Sequence, residues 1–171
     1  DGPLLIVAGA GSGKTKVLTS RIANIVKKRK AFPNQILAVT FTNKAASEMG
    51  SRVSKILGSS AIGLPWLGTF HSICAKLLRK HASAANLSSN FTIIDTDDQI
   101  RLIKNICKAE NIDVKKLAPK YILAIIDKWK NKGFYPNEVL ISKKDIYEKT
   151  ILPVYKIYQQ KLIDLNSCDF G

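Results

Sequence analysis

Apolar and polar positions along the chain follow two rhythms. Three short apolar runs, "LLIVA" at 4–8, "ILAVTF" at 36–41 and "WLGTF" at 66–70, have the length and continuity of strands buried on both faces. Between them apolar residues recur at spacings of three and four, as in Val17, Leu18, Ile22, Ile25 and Val26, which predicts a helix. Similar periodicity predicts helices over about 43–57 and 71–84. The order βαβαβα predicts a parallel sheet covered on both faces by helices.

After Asn86 the rhythm changes. "LSSN" is a polar joint, and "FTIID" at 91–95 reads as a short strand; the pattern leaves open whether it belongs to the preceding sheet. Three helices follow. "TDDQ" at 96–99 predicts a capping box, with Thr96 as the N-cap and Gln99 reaching back, ahead of a stripe made by Ile100, Ile103 and Cys107. A second helix is expected to start near Pro119, which suits a first turn, and to stop at "NKG" (131–133). The third is expected from about Ser142, with Pro153 kinking it. The chain therefore reads as an α/β half followed by a helical half, with domain boundaries at 1–88, 89–165 and a closing 166–171.

"GSGKT" at 11–15 stands between the first apolar run and the first helix, the setting of a phosphate-binding loop. Glycines let consecutive N–H groups turn toward an anion without Cβ clashes, and the following helix presents the positive end of its dipole. Lys14 is expected to reach the β and γ phosphates and Thr15 to offer its hydroxyl to Mg²⁺. Ala8 occupies the position where the general G-x-x-x-x-G-K-[ST] pattern has glycine.

Such a loop serves kinases, GTPases, motors and helicases alike, so the reaction must be read from the other strand ends. "TFTNKAASEM" (40–49) follows the second apolar run at the edge where open α/β sheets carry binding residues. Phe41 could stack on a base, Thr42 and Asn43 could bind phosphate or cap the next helix, and Lys44 could pair with phosphate. "GTFHS" (68–72) places Thr69 and His71 at the neighbouring end. His71 has no Cys, second His or carboxylate at metal-ligand spacing.

Composition changes this picture in one respect. The net charge is +14, a potential that draws polyanions, and it is unevenly placed. Residues 1–88 carry 13 Lys/Arg against Asp1 and Glu48, whereas residues 89–171 carry 14 against 11 acids. Cys74, Cys107 and Cys168 are widely separated, which predicts reduced packing thiols rather than a zinc site or disulfide scaffold. No apolar run approaches the roughly 20 residues of a membrane span, and the expected location is the cytoplasm.

"AGAGSGKT", "AVTFTNKAASEM" and "GTFHS", in that order, resemble motifs I and Ia and the following DNA-contact motif of the UvrD/Rep/PcrA group of superfamily 1 DNA helicases. That group resembles this chain in having Ala at position 8. "FTIIDTDDQIRLIK" and "DLNSCDFG" resemble the edges of helical subdomain 1B, inserted in these helicases into the first RecA-like domain, 1A. The resemblance implies a P-loop NTPase fold, a RecA-like parallel sheet flanked by helices with an inserted all-helical subdomain, and an amino-terminal fragment of a bacterial helicase. By it, Ala8, Gly9, Ala10, Gly11, Ser12, Gly13, Lys14, Thr15 and Lys16 bind ATP, with Mg²⁺ on Thr15. Phe41, Thr42, Asn43, Lys44, Thr69 and His71 lie along single-stranded DNA, and the helical region meets the duplex at a single/double-strand junction.

It further implies 3′ to 5′ movement on DNA, work in repair or replication beside DNA-repair proteins, and a place at the bacterial nucleoid. Lys16 stands where many members have Arg. The family's Asp-Glu motif has no counterpart here, since no "DE" pair occurs, so the chain alone is expected to bind but not to unwind. A P-loop kinase or GTPase would leave "TFTNKAASEM" and the basic first half without a role. A DNA-binding module without turnover would leave the loop idle.

Overall fold

The computed structural model describes residues 2–9, 11–58, 63–141 and 146–171. The chain divides into two compact units, Asp1–Leu77 and Leu78–Gly171.

In the first unit the three-and-four spacing becomes helix α1, Lys14–Lys27, which buries Thr19, Ile22 and Ala23. The run at 36–41 yields strand β1, Ala38–Thr40. Thr42 caps helix α2, Asn43–Leu57, which buries Ala46, Met49, Val53 and Leu57 along one face. Strand β2, Leu67–Thr69, pairs with β1 in parallel, Ala38 opposite Leu67 and Thr40 opposite Thr69. Helix α3, Phe70–Lys80, follows directly. The expected extension of α3 to Ala84 is a separate 3-10 turn, Ala82–Ala85, which falls within the second unit and ends at Asn86 in the left-handed conformation. The core joins Ile22 and Ala23 of α1 to Ala38 of β1 and Met49, Val53 and Leu57 of α2.

The expected first strand is absent. Residues 4–8 carry no strand pairing, and Leu5 and Val7 are each 87% exposed. A central parallel strand needs a neighbour along its edge and cover on both faces, and the described sheet pairs only β1 with β2. Apolar content alone does not make a strand where no ladder receives it.

The second unit is a helical cluster. "FTIID" does not join the preceding sheet: strand β3, Thr92–Ile93, pairs in parallel with β4, Ser167–Cys168. Helix α4, Thr96–Ala109, is capped by Asp95, whose carboxylate accepts from the Asp98 N–H at 2.9 Å. The expected cap, Thr96, is instead the first helical residue, and Gln99 is buried. A carboxylate one position earlier is the stronger acceptor at a helix start. Helix α5, Pro119–Lys130, opens on its proline and gives way to Gly133 at φ 75°. Helix α6, Ile146–Asp164, runs on through Pro153; the expected start at Ser142 lies outside the described residues.

These helices bury Ile103, Ile122, Ile126, Ile151, Val154 and Tyr158 at the centre of one cluster. The Trp129 and Tyr155 rings meet there at 5.8 Å. All three cysteines are free; Cys107 is buried as packing predicts, but Cys74 is exposed. No described helix is long and apolar enough to cross a membrane.

Candidate nucleotide and nucleic-acid site

The run from Ala8 to Thr15 turns the chain into α1. Gly11 and Gly13 hold φ at 76° and 90°, a region that a side chain strains. No atom lies within 4 Å of where a Cβ would stand on either, so the backbone conformation, not crowding, demands glycine. Gly13 caps α1 without a side-chain hydrogen bond, and the first turn holds no acidic residue. The N–H groups and positive dipole of that end are thus offered to an anion.

Ser12 closes the turn by donating its hydroxyl to the Gly9 carbonyl at 2.6 Å. The Lys14 ammonium donates to the carbonyls of Ala8 at 2.6 Å and Gly9 at 2.8 Å. Its charge therefore sits at the mouth of the loop on two neutral oxygens, which are weaker partners than a phosphate. Thr15 is half-buried in the first turn, Lys16 beside it is exposed, and Ala10 lies outside the described residues. One turn further on, the buried Thr19 hydroxyl bonds back to the carbonyls of Thr15 and Lys16, which braces the turn that carries Lys14.

The other named residues gather at the carboxyl ends of β1 and β2. Thr40 and Thr69 are register partners, so the next residues, Phe41 and Phe70, emerge side by side. The Thr42 hydroxyl accepts from the Ala45 N–H at 3.2 Å and the Thr69 hydroxyl from the Ser72 N–H at 3.2 Å. Each threonine caps the helix that follows it. Gly68 is fixed by that second turn, because a Cβ there would stand 2.5 Å from the Ser72 hydroxyl. Phe41, Asn43, Lys44 and His71 are exposed around these caps.

α1 packs on α2, which connects the loop and the strand ends through one core. A crevice of about 140 Å³ in the same unit is lined by Val53, Leu57, Leu64 and Leu67 among others and contains none of the loop or strand-end residues. It therefore has no part in the candidate site. Phe70 was not among the sequence candidates. Its signal was present in the repeated Thr-Phe pair, "TFTN" and "TFHS", but only the strand register shows that the two pairs are neighbours.

A family model described as the UvrD/REP helicase N-terminal domain matches residues 1–171. The chain belongs to this family. It is similar to a probable DNA helicase II homolog of Rickettsia conorii, 48% identical over all of this chain and 26% of the relative. It is also similar to the ATP-dependent DNA helicase PcrA of Bacillus subtilis, 46% identical over 99% of this chain and 23% of the relative. PcrA of Staphylococcus aureus is 44% identical over the same shares. The chain spans about a quarter of the length of these relatives.

Elsewhere in this UvrD/REP domain the charged groups hold structure together. The Lys130 ammonium meets the Asp169 carboxylate at 2.7 Å, their side chains 10% and 3% exposed, and the Tyr158 hydroxyl donates to Asp169 at 2.8 Å. Burial, the Asp169 charge, Tyr135 and Glu138 push the Tyr155 phenol up to about 12. Burial and then Asp169 raise the Tyr158 phenol. Burial raises the Asp127 carboxyl, with Asp169 adding to it and Lys130 opposing it. Among the described residues no cluster of three His, Cys, Asp or Glu could hold a metal.

Proposed function

We propose that this chain is the part of an ATP-dependent DNA helicase that holds ATP with Mg²⁺ and grips single-stranded DNA, within a longer protein that moves 3′ to 5′ in DNA repair or replication. One observation carries the reading. A single unit combines a glycine loop folded around Lys14 at the head of α1 with two adjoining strand ends that expose Phe41, Asn43, Lys44 and His71. Its relatives are named as DNA helicases, and its net charge of +14 suits a polyanion.

In this reading residues 1–88 form the first part of a RecA-like ATP-binding domain, 89–165 its helical subdomain 1B and 166–171 the return. The loop from Ala8 to Lys16 wraps the triphosphate, Lys14 leaves its two carbonyls for the β and γ phosphates, and Thr15 turns its hydroxyl to the metal. Mg²⁺ would neutralise charge developing on the phosphate oxygens. A metal held chiefly by phosphates needs few protein ligands, which suits a loop supplying one hydroxyl. Phe41 stacks on a base, Lys44 pairs with phosphate, and Asn43 and His71 line the strand, with Thr42 and Thr69 holding the two helix starts. The helical unit faces a single/double-strand junction, and the protein works in the bacterial cytoplasm at the nucleoid, alongside DNA-repair proteins.

The test is Lys14→Ala in a polypeptide of the relatives' length. ATP-driven unwinding is expected to vanish while binding to labelled single-stranded DNA persists; unwinding that survives overturns the role of the loop. The 171-residue chain itself is expected to prefer single strands over duplex and to lose affinity steeply with salt. A P-loop kinase or GTPase would show no preference for single strands.

A further inference from the structure

The Phe41 and Phe70 rings lie with centroids 5.7 Å apart and planes tilted by 50°. Phe41 is 92% exposed and Phe70 49%. The contact follows from the backbone: each residue comes directly after one of a pair of register-matched threonines at the end of a parallel ladder. Phe41 stands immediately before the cap of α2, Thr42, and Phe70 immediately after the cap of α3, Thr69, so a helix start fixes where each ring leaves the chain.

A base cannot enter between these rings. Intercalation would need two stacking intervals of about 3.4 Å each, more than the 5.7 Å between centroids, and planes nearer to parallel. Phe41 itself, 92% exposed, keeps its ring faces open to a base. An isolated phenylalanine so exposed would turn through its rotamers and would have to be ordered when a base stacks on it, at a cost in affinity. A tilted aromatic neighbour in contact removes part of that freedom beforehand.

We propose that Phe70 is a positioning residue for single-stranded nucleic acid: its tilted contact narrows the rotation of the Phe41 ring, so that Phe41 meets a base already oriented. This rests on the strand-end reading given under Proposed function. Phe70 need not touch the nucleic acid, and its effect passes through Phe41.

A double-mutant cycle on the chain tests it, using a short oligothymidylate carrying a fluorescent 2-aminopurine and reading both affinity and quenching on binding. Phe41→Ala is expected to weaken binding roughly tenfold or more, the loss of one stacked base. Phe70→Ala should weaken it roughly two- to tenfold and reduce quenching, yet change almost nothing when Phe41 is already Ala. Phe70→Tyr should restore the wild-type affinity. Phe70→Leu, which keeps bulk and loses the ring, should behave as Phe70→Ala and serves where the alanine variant melts early. A Phe70→Ala loss of equal size in both backgrounds, or no loss beside a normal Phe41→Ala effect, overturns the positioning role alone. A wild-type chain without single-strand preference overturns the underlying reading and the role with it.

Discussion

The two units spend their apolar residues differently. In the helical unit Ile103, Ile122, Ile126 and Tyr158 are sealed from solvent, and even a charged pair, Lys130 with Asp169, is enclosed. In the loop-bearing unit Leu5, Val7 and Phe41 stand in water, and Thr19 is as deeply buried as any residue of its core. The difference is that three helices cover one another, whereas a two-stranded parallel ladder cannot cover the faces and edges that an α/β sheet presents. Stability therefore concentrates in the unit without the candidate site, and exposed binding groups in the other.

The sharpest way to break this contrast is to open the enclosed pair. Asp169→Ala leaves the Lys130 ammonium buried without its carboxylate and removes the acceptor of Tyr158. The expected loss is about 3–5 kcal/mol, read as a fall in the denaturant midpoint of the helical unit, and replacing both partners together with apolar residues should recover most of it. A loss within 0.5 kcal/mol would mean that the pair is solvated.

Next comes packing. Ile122→Ala at a fully buried site is expected to cost about 2–5 kcal/mol, whereas Leu5→Ser should change the stability of this chain by no more than about 0.5 kcal/mol. Comparable losses from urea melts of the two variants would show that the 4–8 run is packed after all.

Smaller than either loss in the helical unit is a titration. The Tyr155 phenol has a folded value of about 12 against an ordinary 10.0. The folded state thus favours its neutral form, and the stability this gives is complete below pH 10.0 and lost as pH rises through about 12. Tyr155→Phe gives up the hydroxyl bond to the Phe134 carbonyl, 3.0 Å long, at a cost of about 1 kcal/mol near neutrality. It should also shift alkaline unfolding, followed by helical circular dichroism, to higher pH. An unshifted curve would place the alkaline transition elsewhere.

Periodicity made the helices legible, because α1, α2 and α5 each bury a stripe that local spacing already defines, and Pro119 and Gly133 mark ends by backbone chemistry alone. Strand pairing was less so: "LLIVA" and "ILAVTF" look alike as runs, but pairing depends on residues distant in sequence. The partner of Thr92 is Ser167, which no local pattern shows. At the start of α4 the pattern points one residue too far, to Thr96, because the aspartate before it competes for the cap, whereas at α2 the cap is legible as one option for Thr42. Within the candidate site, the glycine loop was visible because it is contiguous. The neighbourhood of Phe41 and Phe70 was not, since it arises from the register of two strands separated by a helix.

The β3–β4 pairing has a further consequence for how the helical excursion can vary. Asn90 and Asn166, 76 positions apart, are hydrogen-bonded to each other beside that ladder, so the path leaves and comes back at one doorway. A segment with adjoining ends can be exchanged without stretching whatever precedes or follows it, and each doubling of its length adds only about 0.6 kcal/mol of closure entropy. The two strands run in the same direction, however, so the shortest substitute is a crossover of about a dozen residues, never a tight hairpin. Between that floor and much longer insertions, whole helices can be gained or dropped while the doorway stays the same.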